Sequence, residues 1–198
     1  VSWPEAYEIH IAYLVEFIEE FGATKTERAR ELCEEALAAA PRPSRPILYQ
    51  IYVELEEQFG LGRNVVRVLE RAFTDARRGQ KSDICCQLLR HTTALFGIPE
   101  TRATIERCIQ SCHYPPFVVR IGQVFINLER KLGETERARA LYRYVANYTD
   151  PGTPGVQTFW ESWSEFELVY GTEGTYIEMK KVARLMESKF SVIPSILQ

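Results

Sequence analysis

An all-α fold, a right-handed α-solenoid of about five antiparallel helix pairs, is what this sequence predicts, and three observations predict it. Strand-like alternation is nearly absent, because apolar residues recur at three- and four-residue steps along the chain. Glycines stand at Gly22, Gly60, Gly97, Gly133 and Gly171, separated by 38, 37, 36 and 38 residues. Each closes one amphipathic segment, and a second amphipathic segment follows it. A repeat of this length marks a stack of supersecondary units, because a single helical hairpin cannot bury its own apolar stripe.

The elements follow in chain order. In the first repeat, over 1–40, LVEFIEEFG supplies the first helix and ARELCEEAL, from 29, the second. The second repeat, 46–76, pairs YVELEEQFG with VVRVLERAF from 65, and the third, 82–111, pairs LRHTTALFG with TRATIERCI from 101. The fourth, 116–148, pairs FINLERKLG with ARALYRYVA from 138, and the fifth, 157–190, pairs WSEFELVYG with TYIEMKKVARLME. The pentapeptide TERAR occurs twice verbatim, at 26–30 and 135–139. Breaks between the pairs are marked by APRPSRP (40–46), DARRGQKS (75–82), SCHYPP (111–116) and DPGTPG (150–155). The periodic glycines suit helix C-termini in the left-handed conformation. Thr24 with Glu27, Thr158 with Glu161 and Thr175 with Glu178 have the spacing of capping boxes. SVIPSILQ (191–198) carries a proline and reads as a tail.

Composition narrows the function classes. The net charge is −3 with a pI near 5.8, without the basic excess expected of a general nucleic-acid binder. No apolar run approaches the ~18–20 residues that span a bilayer, so no membrane partner is expected. The opening VSWPEAYEIH has neither an initiator Met nor a signal-peptide pattern, and the chain reads as a soluble piece of a longer protein. Five cysteines, an odd number with no secretory signal, read as reduced thiols in an intracellular compartment.

The repeat pattern resembles the HAT (half-a-TPR) family. That family's first helix carries aromatic-x-x-aromatic-x-x-Leu/Phe-Glu, with a Gly five residues after the Leu/Phe. Trp160, Trp163, Phe166, Glu167 and Gly171 match it, as do Tyr49, Tyr52, Leu55, Glu56 and Gly60. The second-helix pattern, A-R-x-I-Y-E-R-A-L, is approximated by ARELCEEAL and VVRVLERAF. The third repeat departs, with Cys86, Leu89 and Thr92 at the first-helix positions. The runs LYQIYVELEEQFGLGRNVVRVLERA, LERKLGETERARALYRYVANYTDPGTPG and FWESWSEFELVYGTEGTYIEMKKVAR are similar to the C-terminal HAT array of the Syf family of pre-mRNA-splicing factors, whose animal member is the XPA-binding protein. The most specific part is the DPGT segment leading into FWESWSEFE and then Thr175, Glu178 and Met179.

The resemblance implies a nuclear, non-enzymatic scaffold subunit of the spliceosome's nineteen complex. It implies partners among the other subunits of that complex, HAT-repeat proteins included. The apolar end near Trp3 is open to two readings, docking of upstream repeats of the intact chain or, because some HAT arrays self-associate, a homodimer. Two alternatives stay open. One is a HAT scaffold of another RNA pathway, mRNA 3′-end cleavage or ribosomal RNA processing, which lacks the DPGT…FWESWSEFE junction. The other is a direct RNA-binding module, disfavoured by the acidic charge.

Candidate sites are few. Cys85, Cys86, Cys108, Cys112, His91 and His113 include one C-x3-C pair with an adjacent His, a partial zinc pattern. The register places Cys108 with Ala36, Ala72 and Val145, Cys33 with Leu69, Ile105 and Tyr142, and Cys86 with Ile11, Tyr49, Gly122 and Trp160. Those are packing positions, so no metal site is expected. Without a GxSxG elbow, P-loop or dinucleotide turn, no catalytic residue or cofactor is expected either. Glu54, Glu56 and Glu57 read as helix-surface carboxylates. Arg137, Arg139 and Arg143, with Arg120 and Arg130, could meet RNA phosphates but read as partners of Glu129, Glu134 and Glu136. The five rings of FWESWSEFELVYG, from Phe159 to Tyr170, read as a repeat core and not as a ligand strip. Tyr49, Tyr52, Leu55, Gly60, Trp160, Trp163, Phe166 and Gly171 are therefore structural, and no partner-binding residue is assigned.

Overall fold

The computed structural model describes residues 6–152 and 155–196, and Trp3, with the end surface expected around it, lies outside them. Among the described residues there are helices and no strands: α1 (Ala6–Phe21), α2 (Thr26–Ala39), α3 (Arg45–Phe59), α4 (Gly62–Asp75), α5 (Lys81–Ser111), α6 (Pro115–Lys131), α7 (Thr135–Ala146), α8 (Gln157–Tyr170) and α9 (Glu173–Ile196). The chain forms two compact units, 1–104 and 105–198. In the first, α1 packs on α2 and α3, α2 on α3, and α3 on α4. In the second, α6 packs on α7, and α9 on both α7 and α8. No helix is long and apolar enough to cross a membrane among the described residues.

The third helix pair hides inside α5. Gly97 has φ 75° and ψ −172°, which breaks the run, and Pro99 follows two residues later. The hydroxyls of Thr93 and Thr101 meet at 3.0 Å, whereas side chains eight residues apart on a straight helix are ~12 Å apart along the axis. The two halves of α5 therefore fold back at Gly97. Prolines open two other first helices, Pro46 in α3 and Pro115 in α6, where the missing N–H has no intrahelical partner to lose.

Three sequence expectations need correcting. Left-handed backbone occurs at Gly97 and Gly133, both with φ 75°, but not at the other three periodic glycines. Gly60 and Gly171 have φ −108° and −99°, a region open to any residue, so another constraint selects glycine there. The capping boxes do not form as expected. Lys25 and Val156 precede α2 and α8 without side-chain caps, and Thr24 and Thr158 turn their hydroxyls to the carbonyls of Phe21 and Gly155. At α9 the box starts at Thr172. Its hydroxyl accepts from the Thr175 N–H at 3.4 Å, and the Thr175 hydroxyl accepts from the Thr172 N–H at 2.9 Å. Finally, the tail expected over 191–198 is helical as far as Ile196. Pro194 removes one backbone donor, but the loss falls in the last turn, where few rungs remain to be interrupted.

The core of the second unit centres on Tyr142. Its ring stacks on Trp163 at 5.6 Å with 5° between planes, and tilts against Phe159 and Phe166. Ile126, Ala138, Val145, Ala146 and Met179 complete the cluster. The Tyr142 hydroxyl lies 2.8 Å from the Ser162 hydroxyl and accepts from Arg130 at 3.3 Å, so the buried phenol is satisfied. Of the expected core strip, Phe159, Trp163 and Phe166 are buried, Trp160 is half-buried, and Tyr170 is exposed. Tyr49, Tyr52 and Leu55 are buried in the first unit.

Candidate interaction surface

The repeat motif has a chemical centre, a buried carboxylate that joins one repeat to the next. In the first unit Glu56 of α3 receives a two-pronged bond from Arg30 of α2, at 2.6 and 2.9 Å, and a third from the Asn64 amide at 3.1 Å. In the second unit Glu167 of α8 accepts from Arg139 of α7 at 3.0 and 3.1 Å and from the Trp163 indole N–H at 3.1 Å. Burial pushes both carboxyls up, but the hydrogen bonds, from Arg30 and Asn64 at Glu56 and from Arg139, Thr175 and Trp163 at Glu167, outweigh it and hold both below the usual carboxylate range.

These carboxylates explain the glycines. A Cβ on Gly60 would run into the Glu56 carboxylate and come within 2.9 Å of the Glu56 Cα. One on Gly171 would meet the Glu167 carboxylate, with its carbonyl oxygen and the Thr175 hydroxyl each 2.5 Å away. Glutamate and glycine form one device: the side chain folds back over a backbone that has no side chain of its own.

The bridge arginines are the last residues of the two TERAR copies. Their column continues through Val66 and Arg102, and the carboxylate column through Thr93 and Glu129. The charged pair of columns is thus absent from the step between the second and third repeats, where Val66 and Thr93 are both neutral.

Other candidates resolve into the scaffold. Glu56 is buried, contrary to the surface reading, while Glu57 meets the His91 imidazole at 3.0 Å and Glu54 bonds Gln50. The arginine neighbourhood disperses: Arg139 is buried on Glu167 and Glu136, Arg143 pairs with Glu178 at 2.6 Å, and Arg130 turns inward to Tyr142 and Ser162. Arg137 remains exposed.

All five cysteines are free thiols; Cys33, Cys85, Cys108 and Cys112 are buried and Cys86 is half-buried. Cys85 shares its column with the buried Leu48, Ile121 and Phe159 and the exposed His10, and Cys112 shares one with the buried Ala40 and Thr149 and the half-buried Ala76; the sequence reading missed both alignments. Burial, with smaller contributions from Glu34 and Glu56, pushes the Cys33 thiol up to about 12, far from a reactive thiolate. Among the described residues no three His, Cys, Asp or Glu side chains converge on a metal-sized site.

The first unit carries several concave features. A cleft of about 540 Å³ lies between α3, α4 and the start of α5. Val53, Leu69 and Ala72 are among its apolar lining residues, and its charged lining residues are Arg42, Arg45 and Arg77 with Asp75 and Asp83. Arg45 is paired with Asp75 at 2.7 Å, and the Tyr49 hydroxyl donates to the same carboxylate at 3.2 Å. A smaller cleft of about 230 Å³ occupies the corresponding place one repeat earlier, lined by His10, Leu14 and Ala36 among others.

A model of the pre-mRNA-splicing factor Syf1/CRNKL1 C-terminal HAT repeat matches residues 1–198, the whole chain. The chain belongs to this family. Among curated relatives of this HAT family, the syf1 homolog of Drosophila melanogaster is 35% identical over 96% of the chain, and SYF1 of Homo sapiens is 34% identical over 96%. The splicing factor cwf3 of Schizosaccharomyces pombe is 34% identical over 96%. The chain spans about a fifth to a quarter of the length of these relatives, 21%, 22% and 24% respectively. For a Syf1/CRNKL1 HAT array the α-solenoid is the expected class, and the helix pairs and inter-repeat bridges described above fit it.

Proposed function

We propose that this chain is a non-enzymatic protein-interaction array of a nuclear pre-mRNA-splicing factor, working as a scaffold subunit of the nineteen complex. The observation that carries the reading is the end-to-end match to the Syf1/CRNKL1 HAT model, joined to relatives named as pre-mRNA-splicing factors. The chemistry is in keeping with it. The motif residues Tyr49, Tyr52, Leu55, Gly60, Trp160, Trp163, Phe166 and Gly171 serve packing, and the charged motif residues join repeats to one another. That leaves recognition to the helix surfaces, with other spliceosomal proteins, HAT-repeat subunits included, as the partners. Direct RNA binding is not expected, since the richest arginine neighbourhood is largely committed to carboxylates and to the Tyr142 core.

The test is affinity purification of the tagged full-length parent from nuclear extract, followed by mass spectrometry. Spliceosomal proteins should co-purify and survive nuclease treatment. Their absence, or their loss with nuclease, would sink the proposal. An RNA filter-binding titration of the purified chain should show no steep salt dependence.

A further inference from the structure

We infer that the cleft between α3, α4 and the start of α5 is a docking site for an extended, acidic peptide segment of a partner protein. The inference rests on the protein-interaction reading, but not on which pathway the partner belongs to.

Shape, charge and hydrogen-bonding groups point the same way. At about 540 Å³ the cleft has the size of ligand-holding sites, typically ~300–1,000 Å³. The lining residues Val53, Leu69 and Ala72 offer apolar contact for an anchoring side chain. Arg45 is already engaged by Asp75, whereas Arg42 and Arg77 are exposed and form no ion pair among the described residues. Asp75 and Asp83 share the lining with Arg42, Arg45 and Arg77, so positive charge is in excess by one, which favours a carboxylate-bearing ligand. Gln50, Gln80 and Gln87 line the cleft and are exposed. Gln50 donates one amide N–H to Glu54, and the amides of Gln80 and Gln87 offer donors and an acceptor, which suits the alternating N–H and C=O groups of an extended backbone.

A single-stranded RNA would also bring negative charge, but it needs ring faces on which bases can stack. The only aromatic in the lining is Tyr49, which is buried with its hydroxyl tied to Asp75, so no ring face is presented. The corresponding cleft one repeat earlier carries Glu35 and His10 in its lining and no arginine, and has less than half the volume. The two clefts therefore differ in charge as well as in size.

The test is fluorescence anisotropy on the purified chain. The probe is a fluorescein-labelled decapeptide with glutamates flanking a central leucine; a counterpart with lysines for the glutamates and a ten-nucleotide oligouridylate are the comparisons. The acidic peptide should bind in preference to both. Arg42→Glu with Arg77→Glu should weaken it at least about tenfold, and Gln87→Trp, which fills the cleft from an exposed position, should do the same without altering charge. Circular dichroism should be unchanged in both variants. Equal binding of the lysine peptide, competition by oligouridylate, no binding of any probe, or indifference to either variant would each overturn the assignment. Absence of peptide binding alongside successful co-purification of splicing proteins by the parent would remove the cleft and leave the scaffold reading standing.

Discussion

Replacing Glu167 by Gln keeps the volume of the side chain and removes its charge, so it isolates the electrostatic role of the inter-repeat bridge. The wild-type carboxylate is 1% exposed and faces an Arg139 side chain that is 7% exposed. After substitution the guanidinium keeps Glu136, itself 85% exposed, a 3.3 Å bond to the Tyr170 carbonyl and its place over the Phe166 ring. Removing one partner of a buried pair costs ~3–5 kcal/mol. The residual contacts and the surviving amide acceptor place this case at the low end, about 3 kcal/mol. For a chain of this length 1 kcal/mol moves the melting temperature by ~2–4 °C, so a fall of about 6–12 °C is expected in a thermal melt followed by circular dichroism. Replacing both partners, Arg139→Met with Glu167→Leu, should recover most of the loss, because no buried charge is left unpaired. The pH dependence follows from the same group. Its folded pKa lies below the unfolded ~4.3, so its contribution is present above that value and disappears as pH falls through the folded pKa. Wild-type and Glu167→Gln melts should accordingly converge as pH falls from ~4.3 through the folded pKa. A shift below about 2 °C at neutral pH, or a double variant no better than the single one, would refute the reasoning.

Three further outcomes are expected. Gly60→Ala and Gly171→Ala should each destabilise by ~1–3 kcal/mol through collision with the folded-back carboxylate, whereas Gly79→Ala, with open space around it, should be neutral or stabilising by up to ~1 kcal/mol; urea titrations would separate the two classes. Trp163→Phe should cost more than Trp160→Phe, since Trp163 donates to Glu167 while the buried Trp160 indole N–H has no partner among the described residues; equal melting shifts would contradict this. Titration with a thiol reagent should find Cys86 reacting first in the native protein, and all five thiols reacting once it is unfolded.

Much of the fold was legible because its signals are local and periodic. The glycine spacing and the paired amphipathic segments located all five helix pairs, including the one concealed within α5. What the glycines do was not legible. At Gly97 and Gly133 the residue answers to backbone angle, at Gly60 and Gly171 to space taken by a neighbouring carboxylate, and the letter is the same in both cases. The repeated TERAR was visible, and helix-surface spacing found the nearby Glu136 that Arg139 meets, but not the second, buried partner that its terminal arginine reaches one repeat later. Cys85 was left unexplained because its column lies one residue before the aromatic positions of the motif. The cleft depends on how side chains from three helices fill shared space, and no single stretch of sequence encodes it.

The bridges set where such a protein can be divided. Arg30 and Glu56, like Arg139 and Glu167, come from the second helix of one repeat and the first helix of the next. A graft cut at helix-pair limits would carry half of each bridge and strand the other half. The transferable module is offset by one helix, α2 with α3 or α7 with α8, and chimeras are best spliced inside the hairpins. At the step marked by Val66 and Thr93 both columns are neutral, so whole pairs can be exchanged there without orphaning a bridge charge.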